Sequence, residues 1–544
     1  MLILKYMDDQ NQNISSNQSE QGSVVEGNTN PVLSDDFSKG ISELSDSSPS
    51  IEAEFSPPPL EEEITKPEVL EPTPNSFGSE ISEVTSEPSP DNKTISPPVS
   101  PPTSSKLSRI LLIFGGIIFV LGLAFLVFKF VFPQIRKSEE VALTYWGLWE
   151  PEEVMRGVIM EWEREHPNIK INYSRQNQKE YRERLQSALA RDEGPDIFRF
   201  HITWVPMLKN ELEPIPSSIM SASQFQQVFY PVVSDNLRIG DSYVGIPLMI
   251  DTLALYYNED IFRVAGENPP TTWDELRELA IKLTVKDEDG RIQTAGVALG
   301  ITDNIDHWSD ILGLMMLQNR ADLANPSMCV TQAGEEVCLG VDALTYYSIF
   351  NLNDHVWDET LPSSTQAFAA GKLAMYFGPS WRVFDIKALN PNLNFKIAPV
   401  PQLQGANINW ASFWVEGVAK KSKHKDKAWK FLEFLSSPQT LEKLYQAQSN
   451  LRVFGEIYPR VEMAEKLKAN SLVAPFLAQA STAQTWYLCS YTWDNGINTR
   501  MIKYFEDAVN AVNSGRSAKE ALQTASQGIS QLLSQYGITS PVVR

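Results

Sequence analysis

One carboxylate stands out in the middle of the chain. Asp251 lies in an apolar run, YVGIPLMIDTLALYYNED over residues 243–260. A carboxylate taken out of water needs a partner from protein, solvent or ligand. A capped strand end or a buried salt bridge would satisfy it as well as a ligand. Groups for catalysis are harder to find. His166, His201, His307, His355 and His424 form no HExxH or HxH set. The chain has no G-x-S-x-G elbow, no Walker A loop and no G-x-G-x-x-G after its first strand. Asp303 and Asp306 could be imagined as a glycosidase pair, but acidic loop residues are far more often solvated. No enzyme activity, metal or cofactor is expected.

Cys329 and Cys338 flank a short polar loop, CVTQAGEEVC. With no His or further Cys at ligand spacing, the pair suits a small disulfide better than a metal site; two free thiols are the other reading. A disulfide points to an extracytoplasmic compartment. Cys489 reads as a buried small hydrophobe.

The elements that must position these groups alternate. Residues 141–146 (VALTYW), 169–173 and 196–200 (DIFRF) read as strands, and 151–166 and 180–191 as helices. This order implies right-handed crossovers and a parallel sheet, with ligand crevices beyond the strands' carboxyl ends. The loops there hold Trp149, Glu150, His201 and Trp204. Gly245 and Pro247 punctuate the chain before Asp251, and residues 253–257 read as a strand buried on both faces. Thr272 and Glu275 form a capping box for a helix over 273–284. Further helices are expected over 307–318, 341–352, 425–435, 500–514 and 519–535, and strands over 296–299, 373–377 and 395–399.

Charge and hydropathy divide the 544 residues. Residues 1–105 hold 19 acidic and 4 basic side chains and no Trp or Cys, leaving about -7 of the net -22 for the rest. This Ser- and Pro-rich segment has too few apolar residues to offset chain entropy and is expected to be disordered. Met7 is a possible alternative start. Residues 110–128 are 19 uncharged residues, about 29 Å as a helix, which predicts one transmembrane span. Lys106 and Arg109 flank one side and Lys129, Arg136 and Lys137 the other, a count that does not set orientation. The acidic balance, without a basic stripe, argues against nucleic acid.

The ordered set VALTYWGLW, GPDIFRFHITW, GIPLMIDTLALYYNED, NPPTTWDEL, AFAAGKLAMYFGPSW, FKIAPVPQ and AWKFLEFLSSP resembles the family 1 extracellular solute-binding proteins of ABC importers, which include the maltodextrin binders. The resemblance covers about residues 141–544. It implies an α/β fold of two lobes, of the type II periplasmic-binding-protein kind, closing on a ligand. One lobe would take 141–250 and about 398–448, the other 253–397 and about 455–544, with 129–140 as a linker. It also implies a monomer working with ABC permease subunits. Because the spanning helix follows a long tail, the expected arrangement is a single-pass cell-membrane protein with the tail cytoplasmic and the binding lobes outside.

Sugars offer hydroxyls to hydrogen-bond and C–H faces to stack on, so a sugar pocket needs carboxylates or amides and aromatic platforms. By family position Asp251, Trp204, Trp308 and Trp381 are expected at the ligand. Trp414, where FWVEGVAK replaces a Gly-rich run, and Trp146 also fall near element ends. Arg452 could pair with ligand or with Asp251, and Trp493 lies in a more loosely matching region. A polyamine, an amino-acid derivative or a ferric chelate is the alternative ligand, and a surface carbohydrate-processing enzyme the alternative class.

Overall fold

Apolar residues at every second position of VALTYWG send Val141, Leu143 and Tyr145 into the core, and the segment forms strand β1 (Val141–Gly147). The computed structural model describes residues 140–538, together with 116–123, 125 and 129. Helix α1 (Glu152–Glu165) buries Val154, Met155, Val158 and Trp162 on one face. It returns the chain to β2 (Ile169–Arg175), and α2 (Tyr181–Ala190) leads to β3 (Ile197–His201). β1 pairs in parallel with both neighbours, as the alternation requires.

After β4 (Ile246–Pro247) the chain leaves this sheet, and the apolar run becomes β5 (Ala254–Asn258) of a second one. α3 (Glu259–Ala265) stops at Gly266, whose φ of 70° suits a left-handed cap. α4 (Trp273–Leu283) starts at the Thr272–Glu275 capping box. Then come β6 (Val285–Lys286), β7 (Ile292–Val297), α5 (Trp308–Gln318), α6 (Leu339–Leu352), β8 (Leu373–Gly378), α7 (Arg382–Leu389) and β9 (Phe395–Ala398). The second sheet has the order β9-β5-β8-β7-β6. β10 (Trp414–Val418) returns to the first sheet, whose order is β2-β1-β3-β10-β4 with β10 antiparallel to both neighbours. Helices α8 (Lys425–Leu435) and α9 (Pro438–Ser449) follow, and α10 (Ile497–Asn513) packs on α11 (Ala518–Gln535). Two lobes result, each built on its own sheet. Cys329 and Cys338 are joined by a disulfide that closes a small exposed hairpin.

The segments that pass between the sheets lie side by side. Ile250 N–H donates to the Ile457 carbonyl at 3.0 Å, Leu253 N–H to Trp410 at 2.9 Å, and Ser412 N–H to Asp251 at 3.2 Å. A hinge of passages hydrogen-bonded side by side, antiparallel at Thr252 and Ala411, can bend without exposing unpaired backbone groups.

Residues 50–138 separate as a unit of their own. Within it, residues 116–123 are helical, with Ile118, Phe119 and Leu121 exposed. Among the described residues no helix is long and apolar enough to cross a membrane. The expected span over 110–128 falls only in part on described residues. The tail 1–105 and most of the linker 129–140 lie outside them.

β10 is a strand that apolar patterning does not reveal, because Glu416 interrupts it. That carboxylate is fully buried, and its cross-strand partner is Arg199 on β3. The Arg199 guanidinium reaches Glu416 at 2.5 Å and Glu150, in the loop after β1, also at 2.5 Å. Burial works against the charge on Arg199, but the two carboxylates outweigh it and hold the guanidinium well above its ordinary pKa. Removing the cation would leave two buried carboxylates unpaired. Arg199→Leu is therefore expected to cost about 3–5 kcal/mol of stability in urea unfolding, whereas a loss under about 1 kcal/mol would mean that the triad is not what joins these three segments.

Candidate functional site

Beyond the carboxyl ends of the strands, where the passages meet, a cavity of about 230 Å³ opens between the sheets. Aromatic side chains make much of its wall. Trp149 comes from the loop after β1, Trp381 from the turn after β8, and Trp410 and Trp414 from the return to the first sheet. Tyr491 and Trp493 come from the loop before α10. Trp149 stands edge-on to Trp414, with ring centres 5.5 Å apart, and 5.7 Å from Trp493. Trp410 reaches the cavity because α5 has Gly313 beneath it: a Cβ there would lie 2.7 Å from the indole.

Asp251 sits at the first passage and is buried. Its carboxylate accepts Ser380 N–H at 3.1 Å, Ser380 Oγ at 2.9 Å and Thr252 N–H at 2.8 Å. Ser380 belongs to the Gly-Pro-Ser-Trp turn, so these bonds tie the passage to the turn that presents Trp381. Burial is the largest influence on Asp251; the Ser380 donors oppose it, the Glu456 charge adds to it, and the carboxyl is pushed up to about 8.

A second network backs the opposite wall. Arg382 lies over the rings of Trp381 at 4.3 Å and Tyr491 at 4.7 Å. Its Nε donates to His307 Nε2 at 2.8 Å. An arginine can only donate, so the His307 proton resides on Nδ1, facing Ser490 Oγ at 2.9 Å. Burial holds His307 below its ordinary pKa. Tyr491 donates to Asp306 at 2.8 Å. Burial would raise Asp306, but the Thr365 hydroxyl and amide, Arg382 and Tyr491 hold it at about 2. Asp310 accepts Trp410 Nε1 at 2.8 Å and the Ser490 amide at 3.2 Å.

The loop carrying Tyr491 and Trp493 has an unusual backbone. Tyr491, Trp493 and Asn495 have φ of 55°, 47° and 43°, in the left-handed region that side chains disfavour. Asp494, fully buried, compensates by accepting the Gly496, Asn498 and Thr499 amides. Asn498 in turn donates to Thr203 at 2.7 Å, anchoring the loop to the first lobe.

Of the expected site residues, Asp251, Trp381, Trp414, Arg452 and Trp493 line the cavity. Trp204 is buried behind Trp414, edge-on at 5.1 Å, and Trp308 is buried in α5; neither lines the cavity. Trp146, on the opposite side of β1 from Tyr145, packs half-buried against the core outside it. Arg452 does not pair with Asp251: it binds Glu456 at 2.6 Å. Sequence reasoning passed over Trp410, Tyr491, His307, Asp310 and Glu456. The only local signal was SYTWDNGINT, two aromatics next to an Asp-Asn-Gly turn that opens a helix.

The sequence profile of the bacterial extracellular solute-binding proteins matches residues 149–442. The chain belongs to this family. It is 25% identical over 231 residues to a binding protein of Brucella abortus, covering 41% of this chain and 53% of that one. It is 24% identical over 282 residues to the sn-glycerol-3-phosphate-binding periplasmic protein of Pectobacterium atrosepticum, covering 46% and 60%. The chain thus spans about half the length of the curated relatives it matches. In structure it is similar to the sugar-binding protein MalE of Xanthomonas citri, with a TM-score of 0.59 and 22% identity over 72% of this chain and 98% of that one. That likeness establishes the two-lobed α/β fold of these binding proteins.

The Asp251 carboxyl of this solute-binding protein gives its stability a pH signature. Folded chains keep its proton from 3.8 to about 8, where unfolded chains have lost it, so its contribution to stability falls as pH rises through that window. The difference in unfolding free energy between the parent and Asp251→Asn should shift against the parent from pH 4 to pH 8. A flat difference would contradict the burial assigned to this carboxyl.

Proposed function

We propose that this chain is the membrane-anchored, extracellular substrate-binding component of an ABC importer, capturing a carbohydrate by closure of its two lobes. The observation that carries this is the composition of the cleft: indole faces from both sheets surround a buried carboxylate at the hinge. Indoles offer flat surface for sugar C–H faces, and Asp251 retains acceptor capacity for a hydroxyl. Ligand contact with both walls favours the closed state, and ABC permease subunits would read that state. The sugar-binding name of the Xanthomonas citri protein is in line with this reading. Anchoring would use the apolar stretch 110–128, whose described part is helical, with the acidic tail inside the cell and a monomeric binding unit outside.

A polyamine ligand is the second reading, favoured by the three carboxylates Asp251, Asp310 and Glu456 at the cleft. The aromatic wall offers flat apolar surface that matches sugar C–H faces along the whole cleft, which puts carbohydrate first.

Calorimetry of the full-length chain in detergent micelles against an oligosaccharide panel tests the proposal. One sugar should bind per chain and be recovered unchanged. Asp251→Ala should bind ~10-fold or more weakly, the scale of one hydrogen bond, while keeping its far-ultraviolet circular dichroism. Released product would favour a carbohydrate-processing enzyme, and undiminished affinity would remove Asp251 from the site.

A further inference from the structure

Charge within the cleft is one-sided. Three acidic side chains, Asp251, Asp310 and Glu456, line it against a single cationic one, Arg452, among the described residues; Asp251 keeps its proton up to about 8, so its charge develops when a cation displaces that proton. Arg452 is already occupied: its Nη2 binds Glu456 at 2.6 Å and its Nε the Phe454 carbonyl at 2.9 Å. Arg382 stands behind the wall, its Nε given to His307 and its Nη1 to Asp385 at 2.9 Å. His307 is a neutral ring whose two nitrogens both have partners. Much of the rest of the wall is aromatic, with Met249, Leu253, Pro379, Thr252, Ser412 and Ser490 between the rings, and ring faces carry a negative quadrupole.

These surroundings discriminate by charge. A phosphate or carboxylate entering the cleft would lose its hydration and face carboxylates and ring faces; the one cation on the wall, Arg452, is paired with Glu456, and Arg382, whose Nη2 has no hydrogen-bond partner, lies behind Trp381 and Tyr491. An ammonium would find the opposite. Its N–H groups can donate to carboxylate oxygens, and indole faces attract it. The repulsion between Glu456 and Asp251, which helps to hold the Asp251 proton, would be relieved as well.

We propose that the cleft selects carbohydrates bearing a protonated amine and turns away those bearing a phosphate or carboxylate. This rests on the carbohydrate reading above and narrows it to a ligand class. It separates the chain from its Pectobacterium atrosepticum relative, which is named for a phosphorylated ligand. Glu456 is the residue best placed to set the preference, because it combines cleft exposure with electrostatic reach to Asp251.

The test is calorimetric titration of the full-length chain in detergent micelles with matched sugar sets, at a pH where the amine is protonated. Each set holds the amino, hydroxyl, phosphate and carboxylate forms of one hexose or its disaccharide, in the gluco, galacto and manno series. In the series that binds, the amino form should bind at least ~10-fold more tightly than the hydroxyl form, and the anionic forms should give no heat. Glu456→Gln should bring the amino-to-hydroxyl affinity ratio toward one, and Asp310→Asn supplies the same readout if that variant does not fold. Neutral sugars that bind as well as amino sugars, an anionic form that binds more tightly, or a ratio unmoved by both variants would overturn the selection while leaving the carbohydrate reading in place. Binding by no sugar in any series would overturn the carbohydrate reading itself.

Discussion

A carboxylate can remain buried only where donors reach it, and the donors that reach Asp251 determine how the cleft is assembled. Two of its bonds come from Ser380, in the turn after the last buried strand of the second sheet. The backbone carbonyl of Asp251 itself accepts the Ser412 amide from a neighbouring passage. Asp251 therefore ties two passages and the Trp381 turn into one piece. Removing it would leave the Ser380 and Thr252 donors without a partner as well as removing a cleft acceptor.

Polar groups behind the walls do comparable work. Glu150, Arg199 and Glu416 fix the Trp149 loop to the strand that begins at Trp414, so these two indoles meet across a joint with little freedom. Arg382 lies over Trp381 and Tyr491, and Asp306, 3.6 Å from its guanidinium, accepts the Tyr491 hydroxyl. Asp494 sustains three left-handed residues in the loop that offers Tyr491 and Trp493. Each aromatic platform thus depends on a buried charged group with specific partners, the pre-organisation that a rigid ligand requires.

The scaffold was more legible in the sequence than the site. The β1–α1–β2–α2–β3 run follows from periodicity and Gly-Pro punctuation, and α4 from its capping box. β10 did not follow, because a buried Glu in mid-strand makes sense only once Arg199 lies opposite it. Asp251 was visible as an isolated acid in an apolar run, but its partner lies 129 residues away at Ser380. Among the tryptophans, residue type could not separate Trp204 and Trp308, which pack inside, from Trp381 and Trp493, which face the cleft. That distinction depends on which side of a turn faces the hinge, a tertiary property. Tyr491 and Trp493 were obscured further by a backbone conformation that ordinary turn rules reserve for Gly or Asn.

Lobe closure would bring indoles from both lobes around one ligand. Oxidative footprinting with mass spectrometry, carried out on the full-length chain with and without a bound oligosaccharide, tests it residue by residue. The structure predicts that Trp149, Trp381, Trp414 and Trp493 lose reactivity together when ligand binds, while half-buried Trp146, outside the cavity, does not change. Protection of Trp146 with continued oxidation of the other four would mean that ligand does not bind between these indoles.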